Sequence, residues 1–350
     1  MSKQTKQNLI TYGIVIVAYI IVEILILTGN LSSHMKGLLV PMTYYAVIAV
    51  ALNLCVGILG ELSIGHCGFM CLGAFSSAFF SKLTENSLPT VPRFIIAFII
   101  GIAVAGLFGF LIGIPVLRLK GDYLAIVTLA FGEIIKNVIN AFYVGVDSKG
   151  LHFSMKSSME LGMEKDGNII INGAMGITGT PHNSSFTVGV IVLLISLFVV
   201  QNLINSRDGR AIMAIRDNYI AAEATGINVT GYKMMAFTIS AAIAGAAGVL
   251  FSHNITTLTA SSQYFGYNAS IMILVYVVLG GIGNIRGSVI AACILYLLPE
   301  LLRGFSNYRM LIYSIVLIVM MIVNWSPKVI EWRKRTFGRL NLKRGAKEVA

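Results

Sequence analysis

Two places in this 350-residue chain put chemically capable side chains where their surroundings are apolar. Glu133 and Lys136 stand three positions apart inside the apolar run 123–143, about ten residues from either end and so ~15 Å deep at helical rise. Ionisable groups at that depth are costly, and each calls for a partner or a task. Three readings follow: mutual neutralisation that glues the helix to a neighbour, contact with a polar solute, or a proton relay. The second place is "GELSIGHCGF", residues 60–69, where Glu61, Ser63 and His66 stand among glycines ahead of Phe69. Glycines there suit a broken helix that exposes backbone to a polar solute, while Phe69 offers apolar wall. The competing reading is a turn at the membrane edge with Glu61 solvated. Asn53, just upstream, reads as an interhelical hydrogen bond.

A third stretch, "AIRDNYIAAEATGINVTGYK" (214–233), is charged although apolar runs flank it. From Ser206 to Gly226 it reads as one helix of about five turns. Ile212, Ile215, Tyr219 and Ala222 recur at helical spacing, Arg216, Asp217, Asn218 and Glu223 lie off that stripe, and Gly226 is the stop. An amphipathic helix lying at the headgroups explains the arginines. It does not explain the flat alanine surface of Ala221, Ala222 and Ala224.

The elements that must hold these groups follow from composition. The chain is 56% hydrophobic and 12% charged, too little charge to cover a soluble domain of this size. Apolar runs at about 9–28, 38–58, 65–81, 94–117, 123–143, 186–204, 232–253, 269–283, 288–303 and 309–325 approach the ~20 residues a bilayer span needs. Their continuity excludes a transmembrane barrel, whose strands alternate over about ten residues. The fold class is therefore all-α: a polytopic integral membrane protein of about ten transmembrane or partly re-entrant helices, with 65–81 and 269–283 the short ones. The run 9–28 contains Glu23 and is too long for a signal-peptide core, so it reads as a retained anchor.

The net charge of +11 does not indicate nucleic acid. Much of it sits in a basic tail, 326–350, where lysines and arginines from Lys328 to Lys347 are opposed only by Glu331 and Glu348. That is the positive-inside signature. Lys3 and Lys6 put the N-terminus on the same, cytoplasmic side, and an even number of crossings puts Arg118, Lys120, Arg207, Arg210, Arg216 and Arg286 there too. The polar segments 144–185 and 254–268 then lie outside. Cys55, Cys67, Cys71 and Cys293 fall in apolar runs without a C-x-x-C pair and read as small packing residues.

Four stretches carry a family resemblance: "LNLCVGILGELSIGHCGFMCLGAF" (52–75), "RLKGDYLAIVTLAFGEIIKNVI" (118–139) with "GAMGITGT" (173–180), "GRAIMAIRDNYIAAEATGINVTGYKMMAFTISAAIAGAAGVLF" (209–251), and "VYVVLGGIGNIRGSVIAA" (275–292). In this order they resemble the permeases of branched-chain amino acid ABC importers, the LivM/LivH family, with the LivM type closer. The resemblance implies a transport subunit and not an enzyme, with no cofactor or metal of its own. Its partners would be two ATP-binding subunits, a second homologous permease, an extracytoplasmic solute-binding protein and membrane lipid. It further implies that 206–226 is the cytoplasmic coupling helix, with Arg210, Arg216, Asp217, Glu223 and Gly226 coupling to the ATPase. The 144–185 loop would meet the binding protein through its mixed charge, which includes Asp147, Lys149, Lys156, Glu160, Glu164, Lys165 and Asp166.

Two departures stand out. The general importer motif spaces its glycine further from the Glu-Ala pair than Glu223 and Gly226 do, and Asp122 follows Gly121 where an apolar residue is expected unless it caps a helix. No G-x-x-x-x-G-K-[ST] loop is present, and "GGIGNIRG" (280–287) matches neither that pattern nor G-x-G-x-x-G. Urea, short amides or other amino acids are alternative solutes. A self-sufficient secondary transporter coupled through Glu133 and Lys136 is the alternative mechanism.

Overall fold

The computed structural model describes residues 3–85, 87–119, 121–147, 150–163 and 167–325. The basic tail 326–350, Lys120, Lys149 and Glu164 to Asp166 lie outside the described residues, as do the side chains of Lys3, Lys6 and Asp122. The chain divides into two units, Met1–Cys293 and Ile294–Ala350.

In the first unit the long helices are α1 (Lys3–Leu27), α2 (Ser33–Asn53), α3 (His66–Leu83), α4 (Thr90–Val116), α5 (Asp122–Asn140), α6 (Phe186–Asn205) and α9 (Val229–Ser252). Between α6 and α9 lie two short helices, α7 (Arg207–Asp217) and α8 (Tyr219–Ala224). After α9 come α10 (Ser262–Phe265), α11 (Tyr267–Gly280) and α12 (Ile285–Leu301), which crosses into the second unit. That unit continues through a 3₁₀ turn, Leu302–Tyr308, into α13 (Arg309–Trp325). Within it Arg303 and Glu300 form an ion pair at 3.2 Å.

Among the described residues eight helical stretches are long and apolar enough to cross a bilayer, fewer than the ten runs of the sequence. The run 269–283 is lengthened by α10 into the span Ser262–Gly280, so it is not short. By contrast 65–81 is not among the eight, and the last run contributes a shorter apolar helix, Met310–Ile322. The membrane part is helical, but the 144–185 segment is not plain loop. Strands β1 (Tyr143–Asp147), β2 (Gly150–Ser154) and β3 (Asn168–Asn172) form an antiparallel sheet in the order β2-β1-β3, with a bulge between Val144 and Gly145. Strand β4 (Ile177–Thr178) pairs with β5 (Thr257–Leu258).

Helices α2 and α9 form the centre of the first unit: 89% and 72% of their span windows are buried, against 6% of that of α1. Small residues make this possible. A methyl group on Gly73 of α3 would lie 2.3 Å from the Gly245 carbonyl oxygen, and one on Gly245 would lie 2.4 Å from the Ala105 methyl of α4. The three backbones approach where apolar bulk is absent, which is how helices associate once lipid has removed the hydrophobic drive between them. Conversely α1 leaves Ile10, Val17, Ile21 and Ile24 exposed, as a lipid-facing helix must.

Candidate translocation and coupling site

The first unit has two ends, and the sequence candidates sort between them. At one end, α7 meets the turn that ends α2 and the start of α9, and α8 also meets α9. The expected single helix 206–226 is broken at Asn218 (φ −159°, ψ 101°). The Asn218 carboxamide oxygen accepts from the backbone amides of Ile220 and Ala221, both at 3.1 Å, so it caps α8 and stops α7 from continuing. Ile212, Ile215 and Ala222 are buried as their spacing predicts. Tyr219, after the break, is 39% exposed, and Ile220 is 63% exposed. Gly226 ends α8 in the left-handed region (φ +84°), and Ile227 N–H reaches back to the Ala222 carbonyl at 3.2 Å.

The five coupling candidates divide. Glu223 is exposed. Arg210 is exposed and donates to the Asn205 carbonyl at 3.3 Å. Arg216 is also exposed, at 36% of its side chain, but it reaches the end of α2: it holds Asp217 Oδ1 through Nε (3.0 Å) and Nη2 (2.9 Å), and its Nη1 donates to the Gly57 carbonyl at 3.0 Å.

Gly57 belongs to a π-helical turn, Leu54–Leu59, that ends α2. From left-handed Gly60 (φ +82°) the chain leaves helical conformation until His66 starts α3. Glu61 at the start of this stretch forms an ion pair with Lys233, in the second turn of α9, each side chain 13% exposed. His66 at its end bonds to Ser240, about two turns further along α9. Ile64 N–H bonds to Thr128 Oγ1, more than a turn inside α5. The segment 60–65 thus climbs into the bundle, and α3 begins inside it. A broken helix is the reading that this geometry fits.

The pathway candidates of that stretch do not share one environment. Ser63, His66 and Phe69 are buried, at 1% exposure or less. The Phe69 ring packs on Phe131 (5.3 Å between centroids) and Phe237 (5.6 Å). Glu61 instead lines a cavity of about 700 Å³ together with Arg118, Arg216, Tyr219, Glu223 and Lys233, over an apolar floor that includes Leu59 and Ile215. The sequence gives no sign that Lys233 belongs to a site: a lysine in the first turns of an apolar span looks like an edge residue, and its partner stands 172 positions away.

Glu133 and Lys136 pair with each other, and both reach across to the next helices. Lys136 Nζ donates to Ser262 Oγ of α10 at 2.9 Å, and the Tyr267 amide, at the start of α11, donates to Glu133 Oε1 at 2.8 Å. Asn53 also joins elements, donating to Ser288 Oγ (2.7 Å) and accepting from Gly283 N–H (2.9 Å). The cap of α5 is Gly121, so Asp122 is the first helical residue and not the cap. The cysteines are free, and among the described residues no cluster of His, Cys, Asp or Glu could hold a metal.

At the opposite end sit the sheet, the end of α3 and the end of α9. Lys82 pairs with Glu85 (2.7 Å), and His152 Nε2 lies 3.0 Å from Asp147 Oδ1. Beyond the mixed charge expected there, the segment exposes Leu151, Phe153, Met155, Met159 and Met175.

A helical bundle with a broken helix, and with a polar cavity at one end lined in part by a short helix pair, defines the class: an all-α polytopic membrane protein. The chain matches the family model described as branched-chain amino acid transport system / permease component over residues 34–324, and it belongs to that family. It is 35% identical over 303 residues to the high-affinity branched-chain amino acid transport system permease protein LivM of Salmonella typhimurium, covering 81% of this chain and 67% of that protein. Against LivM of Escherichia coli the identity is 34% over 321 residues, covering 86% and 70%. LivH of Salmonella typhimurium is more distant, at 24% over 283 residues and 80% and 89% coverage. No solved structure gives a significant match.

Proposed function

We propose that this chain is the permease subunit of an ATP-driven importer that moves leucine, isoleucine and valine handed over by an extracytoplasmic binding protein. Two ATP-binding subunits dock on the α7–α8 segment, and a second homologous permease completes the pathway. The observation that carries this reading is the α7–α8 pair itself. Ile212, Ile215 and Ala222 of its apolar stripe are buried against the bundle, while Tyr219, Ile220, Ala221, Glu223 and Ala224 face outward on a chain without a phosphate-binding loop of its own. Membership of the permease family and the names of its LivM relatives support the substrate class.

The α7 end is cytoplasmic in this reading, as are both termini. Arg118, Arg207, Arg210 and Arg216 gather at that end, in accord with the positive-inside rule. The clasp of Glu133 and Lys136 on α10 and α11 favours a structural role for that pair over ion coupling.

The test is purification of the tagged chain in mild detergent from its own host, followed by uptake in proteoliposomes. Two ATP-binding polypeptides and a second permease are expected with it, together with ATP-dependent leucine uptake that exceeds urea uptake. Solute movement by the isolated chain without ATP would overturn the reading.

A further inference from the structure

We propose that Arg216 is the positioning residue that carries movement of the α7–α8 segment into the membrane, by capping the broken end of α2. This rests on the reading above, that ATP-binding subunits act on α7–α8. The carbonyls of a last helical turn have no partner within their own helix. Gly57 is in that position: in a continued π-helix its oxygen would meet the amide of residue 62, which lies in the non-helical stretch. Arg216 Nη1 takes that place at 3.0 Å, a cation at the negative end of a helix.

Three features tie the cap to α7. Asp217, the next residue of the same helix, holds the guanidinium from its other side, so the donor's direction is set by α7 and moves with it. Gly60 makes the approach possible, because a Cβ there would stand 2.5 Å from Arg216 Cγ. Downstream of Gly60 the chain is anchored at both ends of its climb, by Glu61 to Lys233 and by His66 to Ser240. A displacement of α7 therefore reaches the start of α3 through residues 57–66 and need not pass through any long helix.

A π-turn followed by six non-helical residues is also an element with another packing available, since a shift of one residue in hydrogen-bond register restores α-helix. Arg216 is placed to select between the two.

The experiment compares wild type, R216A, R216K and R216Q in the complete complex, with leucine uptake and ATP hydrolysis measured on the same proteoliposomes. R216A is expected to retain its ATP-binding subunits and its hydrolysis while the leucine moved per ATP falls about tenfold, the size of an ordinary coupling energy. R216K, which keeps a charge that can reach Gly57, recovers part of the ratio. R216Q keeps the stem without the charge and behaves like R216A, and it serves if R216A does not accumulate. An unchanged ratio in both neutral variants overturns the proposal, and so does a loss of assembly, hydrolysis and uptake in parallel. Absence of ATP-binding subunits from the wild type would instead overturn the functional reading on which the proposal rests.

Discussion

Ser240 accepts a hydrogen bond from His66, and the direction of that bond is fixed by a third residue. Ser240 Oγ donates its one proton to the Ala51 carbonyl at 2.6 Å, so at 2.7 Å from His66 Nε2 it acts as acceptor. His66 therefore carries its proton on Nε2 and accepts from Ser63 Oγ at Nδ1, 3.1 Å away. The imidazole ties the unwound stretch and the start of α3 to the middle of α9, and Ser240 extends the link to the last turn of α2. With both ring nitrogens engaged, it has no atom left for a solute in this conformation.

S240A removes the acceptor and leaves a buried imidazole N–H without a partner. The expected cost is about 1–2 kcal/mol, from the penalty of an unsatisfied buried donor and the modest strength of hydrogen bonds between membrane helices. H66Q, unable to reach both serines, should cost at least as much. Denaturant unfolding of the detergent-solubilised protein reads this directly. Equal stability of S240A and wild type would mean that the network is not a tether.

The Glu133–Lys136 clasp makes a different prediction, because both partners can be removed together. K136M leaves a carboxylate 25% exposed beside the start of α11 with only the Tyr267 amide to hold it. A loss of about 1–3 kcal/mol is expected, because breaking such a pair leaves a charge uncompensated. The double variant E133Q/K136M should recover most of that stability and also leucine uptake, because the glutamine oxygen still accepts from Tyr267. If the pair were in the solute path or coupled to protons, the double variant would be stable but unable to transport.

The apolar runs were legible in the sequence because a continuous apolar stretch is a local pattern, although among the described residues only eight helical stretches are long and apolar enough to cross a bilayer. What was not legible depended on pairs and caps. Glu61 with Lys233 and His66 with Ser240 are joined across more than 170 positions, and no local pattern announces either. The break at Asn218 was hidden because strong helix formers on both sides outweigh one asparagine in any window, although its side chain competes for the backbone locally. The sheet in 143–172 was missed because its alternation is brief and interrupted by Gly145, Gly150 and Gly162. The start of α3 inside the bundle left one sign: the glycines at 60 and 65, which bracket the stretch without helix.

Packing of α3, α4 and α9 predicts a sharp contrast among glycines. G73A places a methyl 2.3 Å from the Gly245 carbonyl oxygen, a backbone atom that cannot rotate away. Separation of the helices should cost about 1–3 kcal/mol, the usual penalty for overpacking. G37A, with nothing within 4 Å of the new methyl, should be neutral or slightly stabilising, since alanine is the better helix former. Thermal unfolding of the two variants side by side separates close packing from a general intolerance of substitution.

Asn218 sets the angle between α7 and α8, and its replacement tests whether that angle matters to the partner. N218A deletes the acceptor for the Ile220 and Ala221 amides, a cap worth about 1 kcal/mol, and lets alanine continue α7 into α8. In a single straight helix the residues after the break would rotate, and Ala222, now 5% exposed, would leave its seat. N218A should therefore release the ATP-binding subunits from the purified complex while the bundle, whose core contacts lie elsewhere, stays folded. N218D preserves the side-chain acceptor and should retain them. If N218A holds its ATP-binding subunits as firmly as wild type, the break is incidental and docking depends on the charged face alone.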